Sequence, residues 1–385
     1  MFLLLLRRYA NRVLPPKVLR GIRKAIYPFI QIEILIKQIK ILIKRLLFLA
    51  PFPFFLKYQY PELLSIFLTT RCNLRCFICR REEFKGEDFN YENLVKLEKA
   101  IKYARTIDLT GWGEPLLYPR FEDVLNYIYS LNPRKSLIQI TTNGTKLSER
   151  LAKLLRGHLK SLIVSLNAAT AETYNREMKY GNFEETLSSI RAFLSGLEES
   201  ERSKVLFHFV AHTENFREIP EFITLAKTLG VSNVSIGQYL VNISAHSQYS
   251  LLHVKDEYNA VVEQAEDLGN KLGVQLSAPR FYSGRELKGF NSSECQSPFK
   301  ECFIEVNGDI APCCFCGSYR MGNAYETNFE AVWFGEAYYK LRKKRYLLAC
   351  NTCMPFIPFD NYKAHFTAYF KETPEFKKIE LNFNR

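Results

Sequence analysis

From residue 61 onward, apolar and polar positions fall into two alternating periods. Short runs with a two-residue period and many β-branched or aromatic residues predict strands at 63–69, 106–111, 137–142, 161–166, 205–210 and 233–238. Longer runs with a helical period separate them, among them FEDVLNYIYSL at 121–131 and IPEFITLAKTLG at 219–230. Six β-α units in series predict an α/β fold, a partial (β/α)6 TIM-like barrel with a parallel sheet inside and helices outside. In such barrels the chemistry collects at the C-terminal ends of the strands.

The first sixty residues follow a different pattern. After Pro28, the run FIQIEILIKQIKILIKRLLFL puts Glu33, Lys37, Lys40 and Lys44 on one narrow polar stripe of an otherwise apolar helix, and PFPFF at 51–55 ends it. The opening MFLLLLRR is too short to span a membrane and lacks the small-residue cleavage site of a secretory signal, so it reads as retained. The chain carries a net charge of +13, and residues 1–60 hold twelve Lys or Arg against the single acid Glu33. Their surplus of eleven leaves +2 for the rest, which excludes a basic groove for nucleic acid and instead makes the N-terminal segment a candidate for an anionic membrane surface. At 385 residues and 47% hydrophobic content, the chain is long enough for one large domain with appendages. The expected organisation is a basic amphipathic helical segment at 1–60, the partial barrel at 61–285, a small cysteine-rich domain at 286–360 and a tail at 361–385.

Ten cysteines sharpen the picture because of where they lie. Three fall between Cys72 and Cys79 and seven between Cys295 and Cys353. Tight clusters of this kind suit metal ligation in a reducing cytosol better than a secreted disulfide framework. Cys72, Cys76 and Cys79 have the spacing C-x3-C-x2-C directly after the first strand. Three thiolates can hold three irons of a [4Fe–4S] cube and leave the fourth iron open to a ligand, whereas a structural zinc wants four closed ligands.

This triad, the aromatic Phe77 between its second and third cysteines, and its place after a first strand resemble the radical S-adenosylmethionine superfamily. Gly111-Trp112-Gly113-Glu114-Pro115 is similar to that family's G-G-E-P motif, with Trp112 inserted, which implies that Gly113 and Glu114 meet the methionine ammonium. Thr142-Asn143-Gly144 resembles the T-N-G turn. Ser165-Leu166-Asn167 resembles the S-L-D segment near the ribose and carboxylate, with Asn167 where Asp is commoner. Ile236 to Gln238 falls where members contact adenine. Further on, ECQSPFKECFIEVNGDIAPCC, MGNAYETNFEAVW and ACNTC resemble the SPASM domain. The resemblance implies a second, auxiliary [4Fe–4S] cluster on Cys295, Cys313, Cys350 and Cys353, with Cys302, Cys314 and Cys316 as surplus thiols, one of which can replace an assigned ligand. A zinc knuckle on the same four thiolates stays open.

The activity so implied is that of a radical oxidoreductase or maturase. A one-electron donor such as flavodoxin or ferredoxin reduces the first cluster, S-adenosylmethionine is cleaved to a 5′-deoxyadenosyl radical, and that radical abstracts hydrogen from a substrate. The expected substrate is a peptide or protein side chain; the alternatives are a lipid or lipid-linked molecule at the cytoplasmic membrane face, and a non-catalytic iron–sulfur or zinc protein. No residue of the sequence declares itself the catalytic acid, base or radical donor. His208 and His212, on or after a strand with no partner at metal spacing, read as ordinary structural histidines, and the run RKKR at 342–345 reads as a solvated face.

Overall fold

The computed structural model describes residues 60–79, 85–131, 137–239, 244–281, 295–314 and 319–344. The chain divides into two units, Met1–Gln59 and Tyr60–Arg385, and every described residue belongs to the second. The predicted N-terminal helix therefore lies outside the described residues, as do Cys316, Cys350 and Cys353.

The strands are β1 (Leu63–Ile66), β2 (Arg75–Cys76), β3 (Thr106–Asp108), β4 (Leu137–Thr142), β5 (Leu159–Ser165), β6 (Met178–Lys179), β7 (Val205–Ala211), β8 (Asn233–Gln238), β9 (Gln275–Ser277), β10 (Glu301–Ile304), β11 (Asp309–Ala311) and β12 (Gly322–Asn323). The helices are α1 (Glu98–Tyr103), α2 (Phe121–Leu131), α3 (Glu149–Leu155), α4 (Ala171–Glu177), α5 (Phe183–Gly196), α6 (Glu199–Arg202), α7 (Ile219–Leu229), α8 (Lys255–Leu272), α9 (Ser297–Lys300), α10 (Phe329–Trp333) and α11 (Glu336–Lys344). One sheet runs β12-β11-β10-β1-β3-β4-β5-β7-β8-β9, and the pairs from β10 through β1 to β9 are parallel. Its six central strands alternate with helices, which makes the expected partial (β/α)6 barrel. Among the described residues, no helix is long and apolar enough to cross a membrane.

Local chemistry fixes the helix ends. Ser148, Thr170 and Asn182 cap α3, α4 and α5 by accepting backbone N–H groups at 3.2–3.3 Å. Gly230 ends α7 in the left-handed region at φ 79°. The outward face of each strand is apolar: Ile138, Ile140, Leu162, Val164, Phe207, Phe209 and Val234 are at most 1% exposed and meet Val124, Leu151, Ile190, Phe222 and Ala265 of the helices. Burying each such side chain contributes about 1.5–3 kcal/mol.

The inward face is different. Ser65, Asp108, Gln139 and Ser161 stand in one row across four neighbouring strands. Ser65 donates to Asp108 Oδ2 at 2.9 Å, and Ser161 donates to Gln139 Oε1 at 3.3 Å. Burial raises the Asp108 carboxyl above its ordinary range, and donors from Thr110 and Ser65 with the charge of Lys160 oppose that rise.

Three local expectations change. The strand predicted over 106–111 ends at Asp108, whose Oδ1 accepts Thr110 N–H at 3.1 Å. The strand predicted over 63–69 ends at Ile66, because Thr69 turns aside to bridge Asp88 and Thr70 N–H bonds to the Glu87 carbonyl. The RKKR run is not a solvated face at its start: Arg342 is 2% exposed, packed over Trp333 and Tyr338 with its guanidinium carbon 4.2 and 4.5 Å from their ring centres. Its Nε and Nη1 donate to the Pro298 and Trp333 carbonyls at 2.8 and 2.6 Å.

Candidate active site at the rim of the sheet

The segment carrying Cys72, Cys76 and Cys79 leaves β1 at the C-terminal rim and is held there from several sides. Leu74, fully buried, pins its middle in the core. β2 pairs antiparallel with β6, and Phe77 N–H donates to the Glu177 carbonyl at 2.9 Å. Cys79 N–H donates to the Cys76 carbonyl at 3.1 Å, closing the turn between the last two cysteines. Cys76 Sγ lies 3.5 Å from Met178 Sδ.

The three thiols feel one another. Burial pushes the Cys76 thiol far above its ordinary range, and the charges of Cys72 and Cys79 push it further. Three thiolates crowded in this way need a cationic group between them, and iron is such a group; the donor set fits a cluster. Among the described residues no three His, Cys, Asp or Glu converge closely enough to hold a single metal ion, and thiolates that each bind a different iron of a cube have no need to.

The loop after β3 packs directly on this segment. Glu114 N–H donates to the Arg71 carbonyl at 2.8 Å. A Cβ on Gly113 would lie 2.3 Å from the Arg71 carbonyl oxygen and 2.6 Å from that of Thr69, so only glycine permits the approach. The Glu114 side chain is 2% exposed and turned inward. Its Oε1 accepts from Leu116 N–H at 3.1 Å and Thr142 Oγ1 at 2.8 Å, and its Oε2 accepts from Asn143 N–H at 2.7 Å. Burial pushes this carboxyl up to about 7 against the pull of those donors. Glu114 thus ties the β3 loop to the turn after β4. In that turn Gly144 adopts φ 84°, and Asn143 Nδ2 reaches Asn73 Oδ1 at 3.0 Å and Cys72 Sγ at 3.8 Å.

The remaining candidates divide. Ser165 ends β5 on the inward face. Asn167 sits in the left-handed region at φ 55°, which asparagine tolerates; its Oδ1 accepts from Val210 N–H at 2.9 Å and its Nδ2 lies 3.5 Å from Met178 Sδ. Ile236 points its side chain outward into the helix-covered core at 4% exposure, away from the rim. Cys295 and Cys313 are half-buried, Cys314 is exposed, and Cys302 is buried in the core with Tyr338 Oη 3.8 Å from its sulfur. Trp112 is 45% exposed and donates Nε1–H to the Glu305 carboxylate at 3.1 Å, linking the β3 loop to the C-terminal segment.

Sequence reasoning missed the surroundings of Phe77. Its ring stacks on His246 at 4.5 Å and meets Tyr249 edge-on at 4.7 Å. Behind it His212, fully buried, lies 2.9 Å from Glu177 through Nε2 and accepts Glu214 N–H at Nδ1; Nε2 therefore carries the hydrogen. These residues come from three distant stretches, so no local spacing announces them.

A barrel with a three-thiol segment at its rim and a second cysteine-bearing piece on the same sheet defines a class that the comparisons name. The model of the radical SAM superfamily matches residues 66–226, and that of an iron–sulfur cluster-binding SPASM domain matches 295–354. The chain carries a radical SAM domain and a SPASM domain; the first implies a [4Fe–4S] cluster with S-adenosylmethionine and the second auxiliary iron–sulfur. It is 25% identical over 325 residues to a tungsten-containing aldehyde ferredoxin oxidoreductase cofactor-modifying protein of Pyrococcus furiosus, covering 77% of this chain and 87% of that one. It is 29% identical over 180 residues to a probable GTP 3′,8-cyclase of Saccharolobus islandicus, a match that spans 46% of this chain and 56% of that relative. The fold is shared with Streptococcus suis SuiB bound to precursor peptide SuiA, at TM-score 0.55, 18% identity and coverage of 74% of this chain and 67% of that one. It is shared too with anSMEcpe bound to AdoMet and the Cp18Cys peptide, at TM-score 0.58, 17% identity and coverage of 84% and 100%.

Proposed function

We propose that this chain is a SPASM-type radical oxidoreductase or maturase that takes hydrogen from a peptide or protein side chain. The observation that carries the reading is the lacing of the cysteine segment to the β3 and β4 loops through Gly113, Glu114 and Asn143. Cys72, Cys76 and Cys79 would hold the first cluster. Cys295, Cys313, Cys350 and Cys353 would hold an auxiliary one, and the buried Cys302 is less suited than the exposed Cys314 to replace one of them. When bound and reduced, the first cluster supplies the electron that cleaves S-adenosylmethionine to the radical that attacks substrate.

The chain's own residues position and shield. The backbone around Gly113 and the turn at Thr142 and Asn143 offer carbonyls and amides beside the thiols, Glu114 holds those two loops together, and Ser165 and Asn167 line the neighbouring rim. Phe77 walls the site with His246 and Tyr249, and Ile236 supports β8 from behind. A flavodoxin or ferredoxin is the fitting electron donor. The peptide reading draws on SuiB and anSMEcpe, whose structures hold peptides.

A lipid-linked substrate is the second reading, favoured by the surplus of eleven positive charges in residues 1–60, which would bind the cytoplasmic face of an anionic membrane. Iron analysis and S-adenosylmethionine cleavage test the enzyme reading against a non-catalytic metal protein. Anaerobically reconstituted protein should bind about eight irons, two four-iron clusters. Changing Cys72, Cys76 and Cys79 together to Ala should remove about half of them and all cleavage; full cleavage in that variant would sink the proposal.

A further inference from the structure

The inward face of the sheet holds a second polar row above the first. Ser165, His208 and Ser235 are in register on β5, β7 and β8, and Ile163 and Leu206 separate them from the row of Ser65 and Asp108. His208 is half-buried there. Its Nδ1 lies 2.6 Å from Ser235 Oγ. Burial lowers its pKa below the ordinary histidine range, and a hydrogen bond to the Ser235 backbone opposes the fall, as an accepting carbonyl does for a ring N–H. Burial thus favours the neutral ring, and with Nδ1 taken up by Ser235 it is Nε2 that is left for a further partner.

The next residue on the same face of β8 is Gly237, where a Cβ would come 3.0 Å from Cε1 and 3.1 Å from Nε2 of His208. Only glycine lets the ring lie there, and any side chain would cover its Nε2 edge. Ser165, one strand away at the usual spacing of about 4.8 Å, belongs to the rim beside the cysteine segment, so the bare nitrogen lies one strand from the proposed cofactor contacts.

We infer that the barrel lumen binds a peptide side chain bearing a hydrogen-bond donor, a hydroxyl or an amide, and that His208 accepts that donor at Nε2. This rests on the radical-enzyme reading above. An acyl chain in the same place would desolvate the half-buried His208 and Ser235 without supplying a hydrogen bond to Nε2. His208 is then a substrate contact and not the structural histidine its sequence context suggests.

The test uses reconstituted full-length protein with S-adenosylmethionine, a reductant and perdeuterated cell extract separated into a peptide and protein fraction and a solvent-extracted lipid fraction. The readout is the fraction of 5′-deoxyadenosine that carries deuterium, which is normalised to cleavage itself. Label should come from the peptide and protein fraction. The labelled fraction should fall at least tenfold in His208→Phe and be partly kept in His208→Gln, which retains an acceptor. An unchanged labelled fraction in His208→Phe, or label from the lipid fraction alone, overturns the inference. If the wild-type protein forms no 5′-deoxyadenosine, the radical-enzyme reading fails, and the lumen site is judged on unmodified protein by diethyl pyrocarbonate at neutral pH. The bare Nε2 of His208 should then be carbethoxylated in a peptide map; protection of His208 under conditions that modify the exposed His253 overturns the site itself. That measurement also serves if His208→Phe fails to fold.

Discussion

Replacing Gly113 by Ala tests whether the cysteine segment depends on the close approach of the β3 loop. The new Cβ would meet the carbonyl oxygens of Arg71 and Thr69 at 2.3 and 2.6 Å and the Thr70 carbonyl carbon at 2.8 Å. All three are backbone atoms of the segment that leads into Cys72, so no flexible side chain can yield. Overpacking of this kind costs about 1–3 kcal/mol. Forcing the loops apart also breaks the 2.8 Å bond from Glu114 N–H to the Arg71 carbonyl, which adds about 0.5–1.5 kcal/mol. A total near 2–4 kcal/mol should lower the midpoint of thermal unfolding by roughly 4–8 °C. Because the displaced atoms precede Cys72 directly, iron retained after reconstitution should fall along with stability. Differential scanning calorimetry paired with iron analysis reads both. An Ala variant that melts within about 1 °C of wild type and keeps its full iron would refute the reasoning, since the clash would then have been absorbed without consequence.

Glu114→Gln should lose the bond from Asn143 N–H or Thr142 Oγ1 and destabilise the rim by about 1–3 kcal/mol, read as a weaker affinity for S-adenosylmethionine in equilibrium dialysis. Burial raises the Glu114 pKa above its unfolded value, to about 7, so the stability its protonated form contributes is present below about pH 4.5 and is lost as pH rises through about 7; chemical denaturation across that window should show the loss in wild type and not in the Gln variant. Arg342→Met strands the carbonyls of Pro298 and Trp333 and removes the cation between two rings, at about 2–4 kcal/mol, whereas Lys343→Ala next to it, on an exposed residue, should leave the melting temperature unchanged. Full-length protein should float with anionic vesicles and be released by high salt, and a variant lacking residues 1–56 should stay soluble and keep cleavage; indifference to vesicles together with aggregation of the truncation would remove the support for membrane binding.

Much of the barrel is legible in sequence because its strands carry their pattern locally. LIQITT and NVSIGQ alternate so regularly that β4 and β8 begin and end where the pattern does. What the pattern does not contain is partnership. ECFI at 301–304 is too short to announce a strand, and only its pairing with β1 and β11 makes it one. Arg342 looks solvated in a run of four basic residues because the Pro298 carbonyl that helps bury it lies 44 positions away, although Tyr338, one turn earlier on the same helix, was a local signal of its burial. Glu114 reads as a ligand for an ammonium, and nothing in its sequence context tells that the amides of Leu116 and Asn143 and the hydroxyl of Thr142 also bond its oxygens. His208 and Ser235, 27 positions apart, meet only through the register of β7 and β8.

The pairing of β10 with β1 has a consequence for how this molecule can be cut. The segment leading to Cys313 does not hang from the barrel by a linker; it supplies the strand that covers one side of β1 over Leu63 to Ile66. A truncated chain ending before residue 301 would expose that side as a bare row of amides and carbonyls beside Phe67, a surface on which a second copy could add its own strand. Loss of the C-terminal region would therefore appear as self-association as well as lost iron, and the two cysteine-bearing regions, joined by backbone ladder bonds, would unfold as one cooperative unit.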